Sequence, residues 1–285
     1  MKAIYIFLVV LVILYLVSSY KEGFQLQVKQ STPSKIVVCL LCVCPNETVI
    51  KFAKKIAKEY EVFIIADDIN CHVPESNITI LKIPDNEASS TGFTKSSITL
   101  SKVTSAWDKA LYYFCVRDTS PEHVWFIEED VMIPRVSLLK ELDARYPDTD
   151  LVAKQHVSED EDPEFSWWFD ADGMMEKPLY RTLVCASRLS RALLNKIKAF
   201  VDKHKRLVFV EIMFSTIIEH EEMQLDMPPE LSTIIWRHDW TKDTVDENHL
   251  FHPIKKVEQQ QEFRTVLSKQ LGSRVEPFKG FERKN

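Results

Sequence analysis

Residues 123–134 read HVWFIEEDVMIP, and this stretch decides the fold. His123–Ile127 carries a run of large apolar residues after its histidine, without polar alternation, the pattern of a strand covered on both faces. It stops at Glu128-Glu129-Asp130, and a second apolar segment follows at once. Strands of that kind belong to parallel sheets flanked by helices, and ligands of such sheets bind outside the carboxyl ends of the strands. The three acids therefore stand where a ligand is expected.

Working outward, the same pattern recurs upstream. Ile36–Val43 (IVVCLLCV) and Glu61–Ala66 (EVFIIA) read as buried strands, and Ile78–Ile83 as a third. Asn46-Glu47-Thr48 offers an N-cap for a helix to Glu59. Leu100–Val116 has helical spacing, with Val103, Trp107, Ala110, Leu111 and Phe114 on one stripe. On that helix Trp107 reads as core and Lys109 as surface. The order is β-α-β-loop-β-α-β, and it predicts an α/β fold: a Rossmann-type mixed, mostly parallel sheet flanked by helices.

Downstream, the spacing predicts a helix from Pro134 to Tyr146 and a strand over Asp150–Gln155. An acidic loop, Ser158–Glu164, leads into the aromatic and acidic segment Ser166–Gly173. A strand over Leu179–Ala186 and helices over Ser187–His204 and Leu207–His220 follow, then short strands at Gln224–Met227 and Thr233–Trp236. From Glu258 the sequence is polar and reads as a tail. The expected organisation is a membrane segment at 1–20, a short stem at 21–34, one domain at 35–257, and the polar tail at 258–285.

Composition narrows the function. In 285 residues, 45% are hydrophobic and 27% charged, which fits an ordinary globular core and excludes a disordered or fibrous chain. With only 5 glycines there is no G-x-G-x-x-G or G-x-x-x-x-G-K-[ST] phosphate loop. The net charge of −6 gives no reason to expect a nucleic-acid partner.

Ala3–Val17 (AIYIFLVVLVILYLV) stands apart as an unbroken apolar run. Extended to Tyr20 it is a short membrane span, and no A-x-A cleavage pattern follows it. An uncleaved signal-anchor is the reading preferred over a cleaved signal peptide, giving a single-pass type II protein facing the ER or Golgi lumen, or an equivalent endomembrane of a virus-infected host. The sequons Asn46-Glu47-Thr48 and Asn77-Ile78-Thr79 are compatible with glycosylation there. Six cysteines are present; Cys39, Cys42 and Cys44 lie in or beside a buried strand, and no second paired cluster suggests zinc. An oxidising lumen allows one or two disulfides, for example through Cys71, and the spacing does not pair them.

The chemistry centres on the triplet. Carboxylates gathered at the end of a buried strand repel one another and stay ionised cheaply only when they share a cation. Oxygen ligands suit Mg²⁺ or Mn²⁺, and such an ion neutralises a diphosphate as it leaves. On Glu128-Glu129-Asp130 after its hydrophobic strand, the chain resembles the GT-A class of nucleotide-sugar glycosyltransferases, whose metal motif is an acidic triplet of the D-x-D or E-D-D kind. Element order carries the resemblance from Lys35 to Lys256, and the triplet is its one motif match. More narrowly, AWDKALYYF followed by VWFIEEDV looks like uncharacterised glycosyltransferase-like proteins of protists and large DNA viruses.

That resemblance implies a hexosyltransferase-like enzyme using a nucleoside diphosphate sugar, UDP-sugar favoured, with Mn²⁺ or Mg²⁺. The acceptor would be a glycan, protein or lipid hydroxyl. Asp130 is then the leading metal ligand, while E-E-D in place of D-x-D leaves open which of Glu128 and Glu129 assists. Asp67 and Asp68, ending the second strand, would face the base or ribose; a turn or cap role is the alternative. Glu211 sits in an apolar run, LVFVEIMF, where burial raises its pKa and suits a general base; the alternative is pairing with Arg188 or Arg191. Asp172, in the aromatic loop with Asp170, is its rival. His252 would be a further metal ligand and Lys255 a diphosphate contact, against a surface His before a turn-forming Pro253. Trp236-Arg237-His238-Asp239-Trp240 would floor an acceptor site or join the core.

Two other classes fit parts of the sequence. A metal-dependent hydrolase would want a second metal-binding cluster, and only Asp67-Asp68 offers one. A membrane-tethered, non-catalytic interaction domain would keep the core without needing the metal.

Overall fold

The computed structural model describes residues 36–97 and 103–274, which belong to one compact unit, Ser34–Asn285. The expected membrane segment and stem lie outside the described residues. Among the described residues no helix is long and apolar enough to cross a membrane.

In chain order the elements begin with β1 (Ile36–Cys42), α1 (Glu47–Ile56), β2 (Glu61–Ala66), β3 (Thr79–Leu81) and α2 (Asp85–Ser89). There follow α3 (Ala106–Tyr112, continued by a wide turn over Tyr113–Arg117), β4 (His123–Glu128), α4 (Ser137–Arg145), β5 (Leu151–Val152) and β6 (Val157–Ser158). The chain continues with β7 (Tyr180–Arg181), β8 (Ala186–Ser190), α5 (Arg191–His204), α6 (Val210–His220), β9 (Leu225–Asp226) and α7 (Val257–Arg274).

Seven strands form one sheet in the order β3-β2-β1-β4-β8-β5-β9. The pairs β3–β2, β2–β1 and β1–β4 are parallel, as the buried apolar runs predict. β8 runs antiparallel to both β4 and β5, and β9 is parallel to β5. The result is a mixed, mostly parallel α/β sheet. Its two faces alternate along β1: Val37, Cys39 and Leu41 pack under α3, α5 and α6, while Val38, Leu40 and Cys42 pack under α1 and α4. Strand order turns back between β1 and β4, and it is at the carboxyl ends of such a pair that sheets of this kind form their ligand crevice.

Asn46 caps α1 as expected, its side chain accepting from the Thr48 and Val49 N–H groups. Its amide also donates to Glu258 Oε1 at 3.2 Å, so this sequon asparagine is engaged at both ends of the amide.

Three expectations are corrected. The helix expected over Ser187–His204 starts only at Arg191, and Ser187-Arg188-Leu189-Ser190 is strand, while the strand expected over Leu179–Ala186 shrinks to β7 in a two-stranded ribbon with β6. Ser187 and Arg188 are polar yet fully buried, which hides the strand pattern. Arg188 is accommodated there because its Nη1 donates to Asp143 Oδ1 at 2.8 Å and its Nη2 donates to the Tyr146 carbonyl. Asp143 also accepts from Trp125 Nε1 (2.9 Å) and Tyr60 Oη (2.5 Å).

The expected polar tail is a docked helix as far as Arg274. Phe263 and Leu267 of α7 are buried against Met132, Phe251 and Ile254, and Gln260 Nε2 donates to the Glu129 carbonyl at 2.8 Å. A short apolar stripe inside polar sequence suffices because Gln260 and Arg264 bury their polar ends on backbone carbonyls. Lys109 is the third correction. It is fully buried rather than on the surface, because Asp67 and Asp85 hold its ammonium at 3.0 and 2.8 Å.

Replacing Asp143 by Ala strands the Arg188 guanidinium in the core, and we expect a loss of about 3–5 kcal/mol. Asp143→Leu combined with Arg188→Met is expected to cost less than Asp143→Ala alone. Urea titration of the variants checks this; equal losses in the single and double variants would show that the pair is not what holds β8 beside β4.

Candidate functional site

The crevice floor is built at the end of β4. Glu128 extends the strand by its N–H bond to the Cys185 carbonyl (2.9 Å), and Glu129 by its own to the Leu41 carbonyl (2.9 Å). Successive strand residues face opposite ways, so the two glutamates part. The Glu129 carboxylate turns toward β1, accepting from the Val43 N–H at 3.3 Å. Glu128 turns the other way, and Trp107 Nε1 donates to its Oε1 at 2.7 Å.

A distant segment completes the site. Met132 and Phe251 exchange both backbone hydrogen bonds (2.8 and 3.1 Å), and the Ile254 N–H donates to the Asp130 carbonyl at 2.7 Å. This zip lays His252 beside the triplet. The imidazole Nδ1–H donates to the Ile235 carbonyl at 2.7 Å, which directs Nε2 inward. Nε2 lies 3.4 Å from Asp130 Oδ1 and 3.9 Å from Glu128 Oε2. Ligand atoms of Glu128, Cys185 and His252 all fall within 4.8 Å of one another.

Electrostatics mark this corner. Burial raises the Glu128 pKa, and the Asp130 charge raises it further. Glu129 is raised by burial too. Burial works against charge on His252, but its hydrogen bond to Asp130 and the charges of Asp130 and Glu128 outweigh that, and its pKa rises. Glu211, 5% exposed on α6, is pushed up to about 8 by burial and then by the Glu128 charge, with Arg181 and His252 pulling it back. The Cys185 thiol is pushed well up by burial and by Glu128, to which it donates a hydrogen bond. It is thus a protonated donor and not a ready thiolate.

The structure therefore brings together four of the residues singled out from sequence: Glu128, Asp130, His252 and Glu211. Glu211 pairs with neither Arg188, which is taken by Asp143, nor Arg191, which donates to the Pro121 and Phe114 carbonyls. Glu129 faces β1. Asp67 holds Lys109, and Asp68 forms a turn by accepting from the Asn70 N–H at 2.9 Å. Asp172 lies on an exposed loop 3.8 Å from Lys177, and Asp170 is used up by Arg206 and the Phe209 N–H. Lys255 is exposed, three residues beyond His252. Trp240 donates to the His252 carbonyl at 3.0 Å, whereas Trp236 stays 54% exposed.

Sequence reasoning missed the roles of Trp107, Cys185 and Arg181. Trp107 sits on a regular helical stripe and Cys185 in an apolar run, so neither carried a signal.

No protein-family model and no curated protein matches the chain. Among solved structures it is similar to an active-site mutant of LgtC, with 12% identity over 82% of this chain and 96% of that one, at a TM-score of 0.45. It is also similar to mouse xyloside xylosyltransferase 1 in its apo form, with 9% identity over 67% of this chain and 84% of that one, at a TM-score of 0.34. Likenesses this distant carry no functional argument, and the site rests on its own geometry.

The raised Glu211 pKa has a signed consequence for stability. Between its ordinary value of 4.5 and about 8 the folded protein holds a proton that the unfolded chain has released, so stability falls as pH rises through that window. Glu211→Gln removes this contribution. In metal-free buffer the variant is expected to lose less stability than the wild-type protein between pH 5 and pH 9, with a gap of a few kcal/mol at the upper end. Parallel pH slopes in denaturant titrations would show that Glu211 is not held in its neutral form.

Proposed function

We propose that this chain is a glycosyltransferase that moves a sugar from a nucleoside diphosphate donor, a UDP-sugar being favoured, to an acceptor hydroxyl. One observation carries the reading: Glu128, Asp130 and a backbone-anchored His252 converge at the carboxyl end of β4, where the strand order turns back.

The residues fit a divalent ion. Two carboxylates and one imidazole with its Nδ1–H already committed form an oxygen-rich set with one nitrogen, which suits Mn²⁺ and accommodates Mg²⁺. The same two acids raise the His252 pKa, so positive charge is favoured at that point. Glu128, Asp130 and His252 would hold the ion, and Cys185 and Trp107 orient Glu128. When bound, the ion supplies positive charge for the departing diphosphate.

The chain's own residues do the rest. Glu211, with its elevated pKa, takes the proton of the acceptor hydroxyl in an inverting transfer, and Arg181 steadies the carboxylate form. Asp172, exposed beside Lys177, is the weaker candidate for that task. Asp67 and Asp68 border the nucleoside end of the crevice, and Lys255 is the cation near the diphosphate end. The apolar segment before Tyr20 anchors the enzyme to an endomembrane with the catalytic unit on its lumenal side.

Titration of the full chain with UDP, with and without Mn²⁺, tests the reading. Binding is expected only with the metal and is expected to vanish in Asp130→Ala. Mn²⁺ alone should raise Tm more at pH 8 than at pH 5, because it relieves acids whose pKa values are raised. Should neither UDP nor GDP bind in the presence of metal, the transferase reading fails.

A further inference from the structure

The loops after β1 and β2 meet on the rim of the crevice. The Asp67 and Asp68 N–H groups donate to the Cys42 and Val43 carbonyls at 2.8 and 3.0 Å, so the β1–β2 pairing runs on past both strand ends. That register brings together the two loops that carry Cys44 and Cys71. Cys44 follows Val43 directly, and Cys71 is folded back by its own N–H bond to the Asp68 carbonyl at 3.3 Å. The Cys71 carbonyl accepts from Lys82 Nζ at 2.5 Å, which fixes the second loop on β3's side. The Cys44 Sγ reaches the His72 carbonyl at 3.6 Å, which sets it beside the loop of Cys71, and the neighbouring Cys71 thiol raises the Cys44 pKa.

The other four cysteines differ. Cys39, Cys42, Cys115 and Cys185 are at most 5% exposed, inside the two cores. Cys44 and Cys71 are only partly buried, so a small reagent reaches them. A pair of partly exposed thiols, carried on two neighbouring loops that backbone hydrogen bonds hold together, is a site for covalent linkage.

We propose that Cys44 and Cys71 form a disulfide that ties the β1 loop to the β2 loop at the rim of the crevice. The oxidant is a small disulfide such as oxidised glutathione. The thiolate of one cysteine attacks a glutathione sulfur, breaks that S–S bond and expels one glutathione thiolate. The thiolate of the other then attacks the protein sulfur of the mixed disulfide and expels the second. Two electrons pass from the cysteines to glutathione, and the two thiol protons go to the released glutathione thiolates. The linked loops flank Asp67, which holds Lys109, so the bond stiffens the end of the crevice away from His252. This inference does not depend on the transferase reading.

The test incubates the full chain with oxidised glutathione, alkylates the remaining thiols and maps peptides before and after reduction. The expected product has lost two alkylatable thiols and about 2 Da, and carries a Cys44–Cys71 linked peptide. Its Tm is expected to rise by about 5 °C and to fall back on reduction with dithiothreitol. Cys44→Ser and Cys71→Ser should each take one glutathione on the remaining cysteine of the pair and show no such rise. Two glutathione adducts on the wild-type protein without a cross-link, or a cross-link through a different pair, would overturn the proposal.

Discussion

The architecture around the crevice depends on how a cluster of acids is kept in place. Glu128, Asp130 and Glu211 are brought close enough that the charge of one raises the pKa of another. Left alone, such a group would push apart. It is held because each member is fastened by something other than its own charge. Glu128 is the last residue of a central strand and is gripped by the Trp107 indole. The Asp130 backbone is zipped to Ile254. Glu211 sits in the first turn of α6, buried in the helix's packed face. The acids in turn raise the pKa of His252, whose anchoring carbonyl leaves one nitrogen to face them. Acids and one imidazole nitrogen are thereby gathered at a single point.

The antiparallel strand β8 is the structural condition for that site. It lies between β4 and β5, and its first residues follow Cys185, which bonds Glu128 through both backbone and thiol. β8 is also the strand whose buried arginine must be neutralised, by Asp143 on α4. The Asp143 carboxylate on α4 gathers Tyr60 from the turn before β2, Trp125 from β4 and Arg188 from β8, so one carboxylate fixes α4, β4 and β8 together. Burial of an ion pair contributes little net stability compared with apolar packing, but removing one partner is costly. The pair therefore acts on register and placement more than on total stability.

How much of this was legible follows from which signals are local. The strands β1, β2 and β4 announce themselves because burial on both faces leaves a continuous apolar run, and the triplet is conspicuous because it ends one. Asn46 is legible as a cap for the same reason: its partners are two and three residues away. Lys109 and Arg188 mislead because their neutralising partners are far off in sequence, and a lysine on a helix or an arginine in a strand reads as solvent-facing until that partner is known. α7 is hidden because a handful of apolar contacts anchors a mostly polar helix. Glu129 illustrates the limit of a motif: spacing marks the triplet, but strand alternation decides which acids face His252.

The two ends of the crevice are built on different principles. At the β4 end, long-range contacts bring an imidazole from far along the chain to a fixed acidic corner, and the geometry is set by backbone zips that a change of one side chain leaves standing. At the β2 end, the loops are joined by two backbone bonds past the strand ends, and inward of them lies a buried lysine shared between Asp67 and Asp85. That lysine is fully enclosed while Asp85 is 49% exposed, so its charge is balanced at the edge of solvent and not in the interior. A ligand lying across both ends would meet rigid charge at one side and a rim at the other whose freedom is limited by how firmly the β1 and β2 loops are joined. Any constraint on that junction therefore acts on the positioning of a ligand without touching the acids that would do its chemistry.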